Sequence, residues 1–267
     1  MPEIFNYEFM RKAFLIGILL AIVVPCIGVT VVLKRLSMMG DALSHMSLAG
    51  VALGLIFGFN PILGAIIACV FAAFGISAIK NLIPKYSEMS IAIMMSLGVG
   101  LAGVLSGFVP NSANFNSFLF GSIVAISNFE LYMIVIISMV VLFCFFILYN
   151  DLFYITFDEQ GARLSGVNVD FVNYVFTFLT AVTISMAARA VGALIVSSML
   201  VIPVACALQI AKSYNKTVIY SILFDLFFTL SGLTLSYYMG LKPGSTIVLI
   251  GIITLIFLFL IKRKLKK

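Results

Sequence analysis

The chain has 267 residues, of which 63% are hydrophobic and 10% charged, with 25 Phe and no Trp, a balance that excludes an ordinary soluble domain. Its net charge is +6, but the Lys and Arg do not cluster with aromatics on a polar face, so a nucleic-acid surface is excluded by placement. Apolar runs long enough to cross a hydrocarbon core of roughly 30 Å recur along the whole length, so residues 1–267 are read as a single transmembrane domain.

In chain order the predicted spans are 13–33, 41–58, 61–80, 89–108, 131–150, 172–188, 191–211, 217–238 and 245–261. The first lacks a small-residue cleavage site and is read as a retained span. Between the second and third, Phe57 to Pro61 leaves room only for a tight hairpin. Gly50, Gly54 and Gly58 repeat every four residues, the pattern that lets helix backbones touch in lipid. After the fourth span, PNSANFNSFLFGSIVAIS (110–127) is too polar and too briefly apolar to cross, and reads as a half-inserted or surface segment on the outer face. FDEQGARLSGVNVD (157–170) is the longest polar stretch predicted on the cytoplasmic side; its pattern suits a short helix along the membrane surface closed by Gly166, the alternative being an ordinary loop. The link near Arg189 is again tight. With the C-terminal KRKLKK in the cytoplasm, alternation puts twelve of the sixteen basic residues inside, as the positive-inside rule requires. The N-terminus then precedes the first span from outside.

Cys26, Cys69, Cys144 and Cys206 each lie in a different apolar run with no CxxC pair, and read as small packing residues. The chain has one histidine, His45, one helical turn after Asp41. That spacing brings an oxygen and a nitrogen donor to a Cβ separation of roughly 5–6 Å, a set suited to a divalent metal. The alternative is a helix cap at Asp41 with His45 as its hydrogen-bonded neighbour. Two ligands do not complete a shell, and a second copy across a two-fold axis would supply two more. Counting from the inner loop places Asp41 near the membrane boundary unless 34–40 re-enters. Asp225 lies mid-span, where an ionised carboxylate is costly. It either lines the path or joins a relay, or it is protonated or paired with a Ser or Thr of a neighbouring helix. Arg189 places a positive charge on the outer side of the predicted path, held by Asp225 or turned to lipid headgroups. No phosphate-binding GxxxxGK[ST] loop and no Ser, His and Asp set occurs, so the chain is not read as an enzyme; if ATP drives it, a separate subunit hydrolyses the ATP.

KRLSMMGDALSHMSLAGVALG, LFGSIVAIS, FDEQGARLSG, VGALIVSSMLVIPVACA and PGSTIVL, in that order, resemble the membrane permeases of the metal-ion ATP-binding-cassette importers, which take up zinc, manganese or iron(II). The resemblance implies an all-α polytopic permease of about eight or nine transmembrane helices in a bacterial cytoplasmic membrane. It implies Asp41 and His45 as the metal site, with zinc, manganese or iron as transported cargo and no permanently bound cofactor. It further implies a homodimer, a cytoplasmic ATPase dimer and an extracytoplasmic metal-binding protein, with Asp158, Glu159, Ala162 and Gly166 of a 157–170 coupling helix as docking positions. The rival reading is a proton-coupled secondary transporter that uses Asp225 and Asp41 and needs no ATPase.

Overall fold

A computed structural model describes residues 3–83, 86–109, 115, 118–119, 121, 126–193 and 195–265. These form eleven α-helices: α1 Glu8–Leu33, α2 Met39–Phe57, α3 Pro61–Leu82, α4 Ser87–Ser106, α5 Asn128–Ile147, α6 Tyr149–Phe157, α7 Glu159–Leu164, α8 Val169–Val191, α9 Val196–Ile210, α10 Tyr214–Met239 and α11 Pro243–Leu265. A 3-10 turn, Glu3–Asn6, precedes α1. All are helices because hydrocarbon offers no partner for backbone polar groups, and a helix satisfies them within one segment. Eight are long and apolar enough to cross a membrane; α9 has 15 residues and is the shorter ninth.

The helix ends follow local chemistry. Asn60 caps α3 by accepting from the Ile62 N–H at 2.9 Å, with Pro61 in the first helical position. Ser127 and Glu130 form a reciprocal capping box at the start of α5. α1 ends in a Schellman turn, with Arg35 N–H donating to the Val32 carbonyl and Leu36 N–H to the Val31 carbonyl. Arg35 occupies the left-handed position at φ 60°, where glycine is usual. This turn sends the chain straight back toward the interior.

α2 lies between α3 and α4, while α8 covers α3 and α10 covers α1. α1, α2 and α8 are largely buried, and α4, α5 and α11 form the rim. On the rim, Phe143, Phe146 and Phe257 are exposed, an apolar outer surface suited to lipid rather than water. Contacts gather the ends as alternation requires. Lys34 donates to Asn173 and Lys262 to Gln209 at one end of the bundle, and Tyr7 meets Tyr237 at the other.

α2 and α3 touch backbone to backbone. A methyl on Gly50 would strike the Gly64 carbonyl, and one on Gly64 the Gly50 carbonyl. Lower in the hairpin, Cys69 Sγ donates to the Leu43 carbonyl at 3.1 Å. These two points set the antiparallel register, and residues 71–72 of α3 then lie beside Asp41. From there α3 runs about ten residues to Leu82, roughly 15 Å at 1.5 Å per residue, and a similar distance back to Pro61. Asp41 therefore lies level with the middle of α3. Gly54 packs on Pro61 as a close-approach glycine, but Gly58 ends α2 in the left-handed conformation at φ 74°. The seventh span also differs: α8 continues to Val191 and the next helix starts only at Val196. Most of 110–127, expected as an outer segment, lies outside the described residues; within it, Gly121 packs on Val191 and Gly192.

Gly50→Ala should lower stability by about 1–3 kcal/mol, because the clashing partner is backbone and cannot rotate away. The thermal midpoint of the detergent-solubilised protein measures this, with Gly100→Ala, where the added methyl meets open space, as the control.

Candidate metal site

Asp41 occupies the first turn of α2 and His45 the next turn on the same face. From Met39 to Ala52 every residue of α2 is buried except these two, which are partly exposed. Over that stretch their face is the strip that the described residues leave uncovered. Among the described residues no group of three His, Cys, Asp or Glu side chains could hold a metal, so the pair has no third such ligand among them.

The capping alternative fails for Asp41. The helix begins two residues earlier, with Met38 at the cap position, and the carboxylate turns sideways. Its Oδ1 accepts a short hydrogen bond from Ser197 Oγ in the first turn of α9. Gly40 allows this approach: a Cβ there would stand 3.2 Å from Ser197 Oγ and 3.3 Å from its Cα. Two helix N-termini, of α2 and α9, thus converge on one carboxylate, and the positive ends of both dipoles complement its charge. On the other flank Gly98 brings α4 against the backbone at His45 and Met46. Ser197 was not singled out from sequence, although two adjacent serines in VGALIVSSMLVIP are a polar interruption of an apolar run.

Below the pair a cavity of about 520 Å³ opens at the inner side, lined by Lys34, Met39, Lys80, Glu159, Arg163 and Asp170 among others. Met39, at its upper end, is two residues from Asp41. Lys34 Nζ donates to Asn173 Oδ1 at 2.8 Å. Burial pushes the Lys34 ammonium down to about 8; Glu159 opposes that shift and Lys80 adds to it. Arg163 grips Asp170 with both terminal nitrogens, at 3.0 and 3.3 Å.

Arg189 is not held by Asp225. It lies inside the last turn of α8, and its Nε donates to Glu130 Oε1 at 2.7 Å; the two side chains are 13% and 12% exposed. Its guanidinium also lies over the Phe118 ring, 4.5 Å from the centroid. Glu130 was missed as a partner, though SNFE carries the S-x-x-E capping pattern that fixes its place. Asp225 is fully buried on α10 and shares no contact with the pair. α9 separates them, since Ser197 faces Asp41 and Ser198 lines the cavity at Asp225. Expected pairing of Asp225 with a neighbouring Ser or Thr does not occur among the described residues.

Of the four expected docking positions, Asp158 caps α7 by accepting from the Gly161 N–H at 2.9 Å, and Glu159 is exposed and lines the same cavity. Ala162 is buried beneath the helix, and Gly166 turns the chain at φ 87°. Leu164, on the same short helix, is 90% exposed and was not anticipated.

The model of a family described as the ABC 3 transport family matches residues 6–263. The "Probable metal transport system membrane protein" of Treponema pallidum (strain Nichols) is 34% identical over 250 residues, 94% of this chain and 94% of that protein. "Manganese transport system membrane protein MntC" of Listeria monocytogenes is 31% identical over 260 residues, 97% of this chain and 92% of that protein. Among solved structures, PsaBC from Streptococcus pneumoniae in complex with Fab superposes with a TM-score of 0.88 at 30% identity, covering 99% of this chain and 97% of that one.

The depressed Lys34 value has a defined sign. Between about 8 and the ordinary 10.5 the unfolded chain binds the proton and the folded chain does not, so stability rises with pH across that window. Measured from pH 7.5 to 10.5, the thermal midpoint of the wild type should gain on that of Lys34→Met as pH rises through this window, and a constant difference between the two would refute the assignment.

Proposed function

The chain belongs to the ABC 3 transport family, and we propose that it is the membrane-spanning permease of an ATP-driven importer of divalent transition metal, with Asp41 and His45 as the ligands that receive the ion. One observation carries this reading: the two donor side chains are the partly exposed positions on a stretch of α2 otherwise buried, level with the middle of α3. A second copy facing that strip across a two-fold axis doubles the donors to two carboxylates and two imidazoles, enough to replace the water that a cation sheds on entering hydrocarbon. Manganese suits the oxygen donors, as the name of the Listeria relative suggests for that protein, and zinc or iron(II) accepts the same set.

The charges around the pair fit a cation route. Arg189 would repel an incoming ion if free, but Glu130 neutralises it. Ser197 orients the Asp41 carboxylate, the role that outer partners play for metal ligands. An external metal-binding protein would deliver the ion to the outer face.

On the inner face an ATPase pair would dock on α7. Leu164 and Glu159 face outward there, Asp158 holds the first turn, and Ala162 anchors the helix to the bundle. Glu159 also lines the cavity that ends at Met39. Movement of α7 on ATP binding would thus be felt directly beneath the metal pair.

Ligation needs ionised Asp41 and neutral His45, so uptake should fall in acid as protons compete. Asp41→Ala and His45→Ala should each abolish manganese and zinc accumulation in cells while leaving the complex assembled. Ser197→Ala should weaken metal binding by roughly 10–100-fold without abolishing it. Normal accumulation by both alanine variants would sink the assignment. Separately, Leu164→Arg should release the ATPase on purification while the permease keeps its thermal midpoint; retention of a full complement of ATPase would remove Leu164 from the docking surface.

A further inference from the structure

α9, α10 and α11 enclose a cavity of about 10 Å³, room for a single water-sized body. Asp225 lines it from α10 with its side chain fully buried, and neither carboxyl oxygen has a hydrogen-bond partner among the described residues. Thr229, one turn further along α10, has an orphaned hydroxyl as well. From α9, Met199 and Pro203 line the same space. Pro203 has no N–H to offer the Met199 carbonyl four residues earlier, so that oxygen lacks its helical donor. Ser198 adds a hydroxyl, and the residues contributed by α11 are apolar or glycine.

A buried carboxylate without a partner in hydrocarbon is costly, and something must complete it. Protonation would remove the charge but still leave both carboxyl oxygens without a hydrogen-bond partner among the described residues. A guest of water size is required instead. Water fills the space and leaves the charge uncompensated, whereas a small monovalent cation answers both demands. Every polar group converging on the cavity offers oxygen, the donor that hard cations take.

We propose that this cavity is a sodium site, with the Asp225 carboxylate and the Met199 carbonyl as principal donors and the Ser198 hydroxyl beside them. One negative charge matches one sodium ion. The ion joins α10 to α9, the helix whose other side presents Ser197 to Asp41. Nothing in this assignment depends on the cargo of the α2 pair.

The test uses the full-length protein purified with its associated subunits, free of transition metal. Its thermal midpoint is measured in sodium, potassium and choline chloride at equal ionic strength. Sodium alone should raise it by about 2 °C or more, and Asp225→Asn should erase the difference between salts. Equal midpoints in all three salts, or a sodium effect that survives in Asp225→Asn, would overturn the site and leave a neutral Asp225 with a water in its place. Should the variant fail to fold, retention of sodium-22 by the wild type decides: saturable retention that potassium does not displace supports the site, and its absence refutes it.

Discussion

The contact between the Gly50 and Gly64 backbones determines where the polar residues of this chain lie. Two helices can approach that closely only when neither carries a side chain at the crossing, and in lipid such close packing replaces the hydrophobic drive that joins helices in water. Once the crossing is set, the hydrogen bond from Cys69 to Leu43 continues the register, and α2 starts far above the inner end of α3. Asp41 and His45 are carried to the level of the middle of α3 as a consequence. The turn at Arg35 makes this possible by folding the chain back on itself directly after α1.

The short helix α9 depends on the same arrangement. Its first turn meets Asp41 through Ser197, which Gly40 admits, and a methyl on Gly28 of α1 would strike its Leu200 carbonyl. A helix that begins within the bundle brings its dipole to bear where a full span would have only its apolar middle. α9 therefore has two polar sides at one level, one toward Asp41 and the other toward Asp225.

Elsewhere the buried charges are neutralised locally. Arg189 and Glu130 are both largely dehydrated, and each compensates the other while Phe118 covers the guanidinium. Removing one member of such a pair costs more than the pair contributes, because a lone charge is left in a medium that cannot solvate it. Asp225 departs from this pattern among the described residues, which is why its cavity calls for a guest.

The sequence alone determined the long spans and their order, because a continuous apolar run must become a helix when hydrocarbon is the solvent. It also determined that Asp41 and His45 share a face, since a four-residue spacing fixes that within any helix. Pairings between distant segments were decided only by tertiary structure. The partner of Arg189 is Glu130, 59 residues away, rather than Asp225, and Ser197 reaches Asp41 across 156 residues. The level of Asp41 along the bundle was hidden for the same reason, since it is set by which residues of α3 lie beside α2. Gly58 likewise matches Gly50 and Gly54 in spacing but lies past the crossing, where a left-handed backbone rather than close approach requires glycine. Periodicity is a property of one segment, whereas register and charge pairing belong to how segments meet.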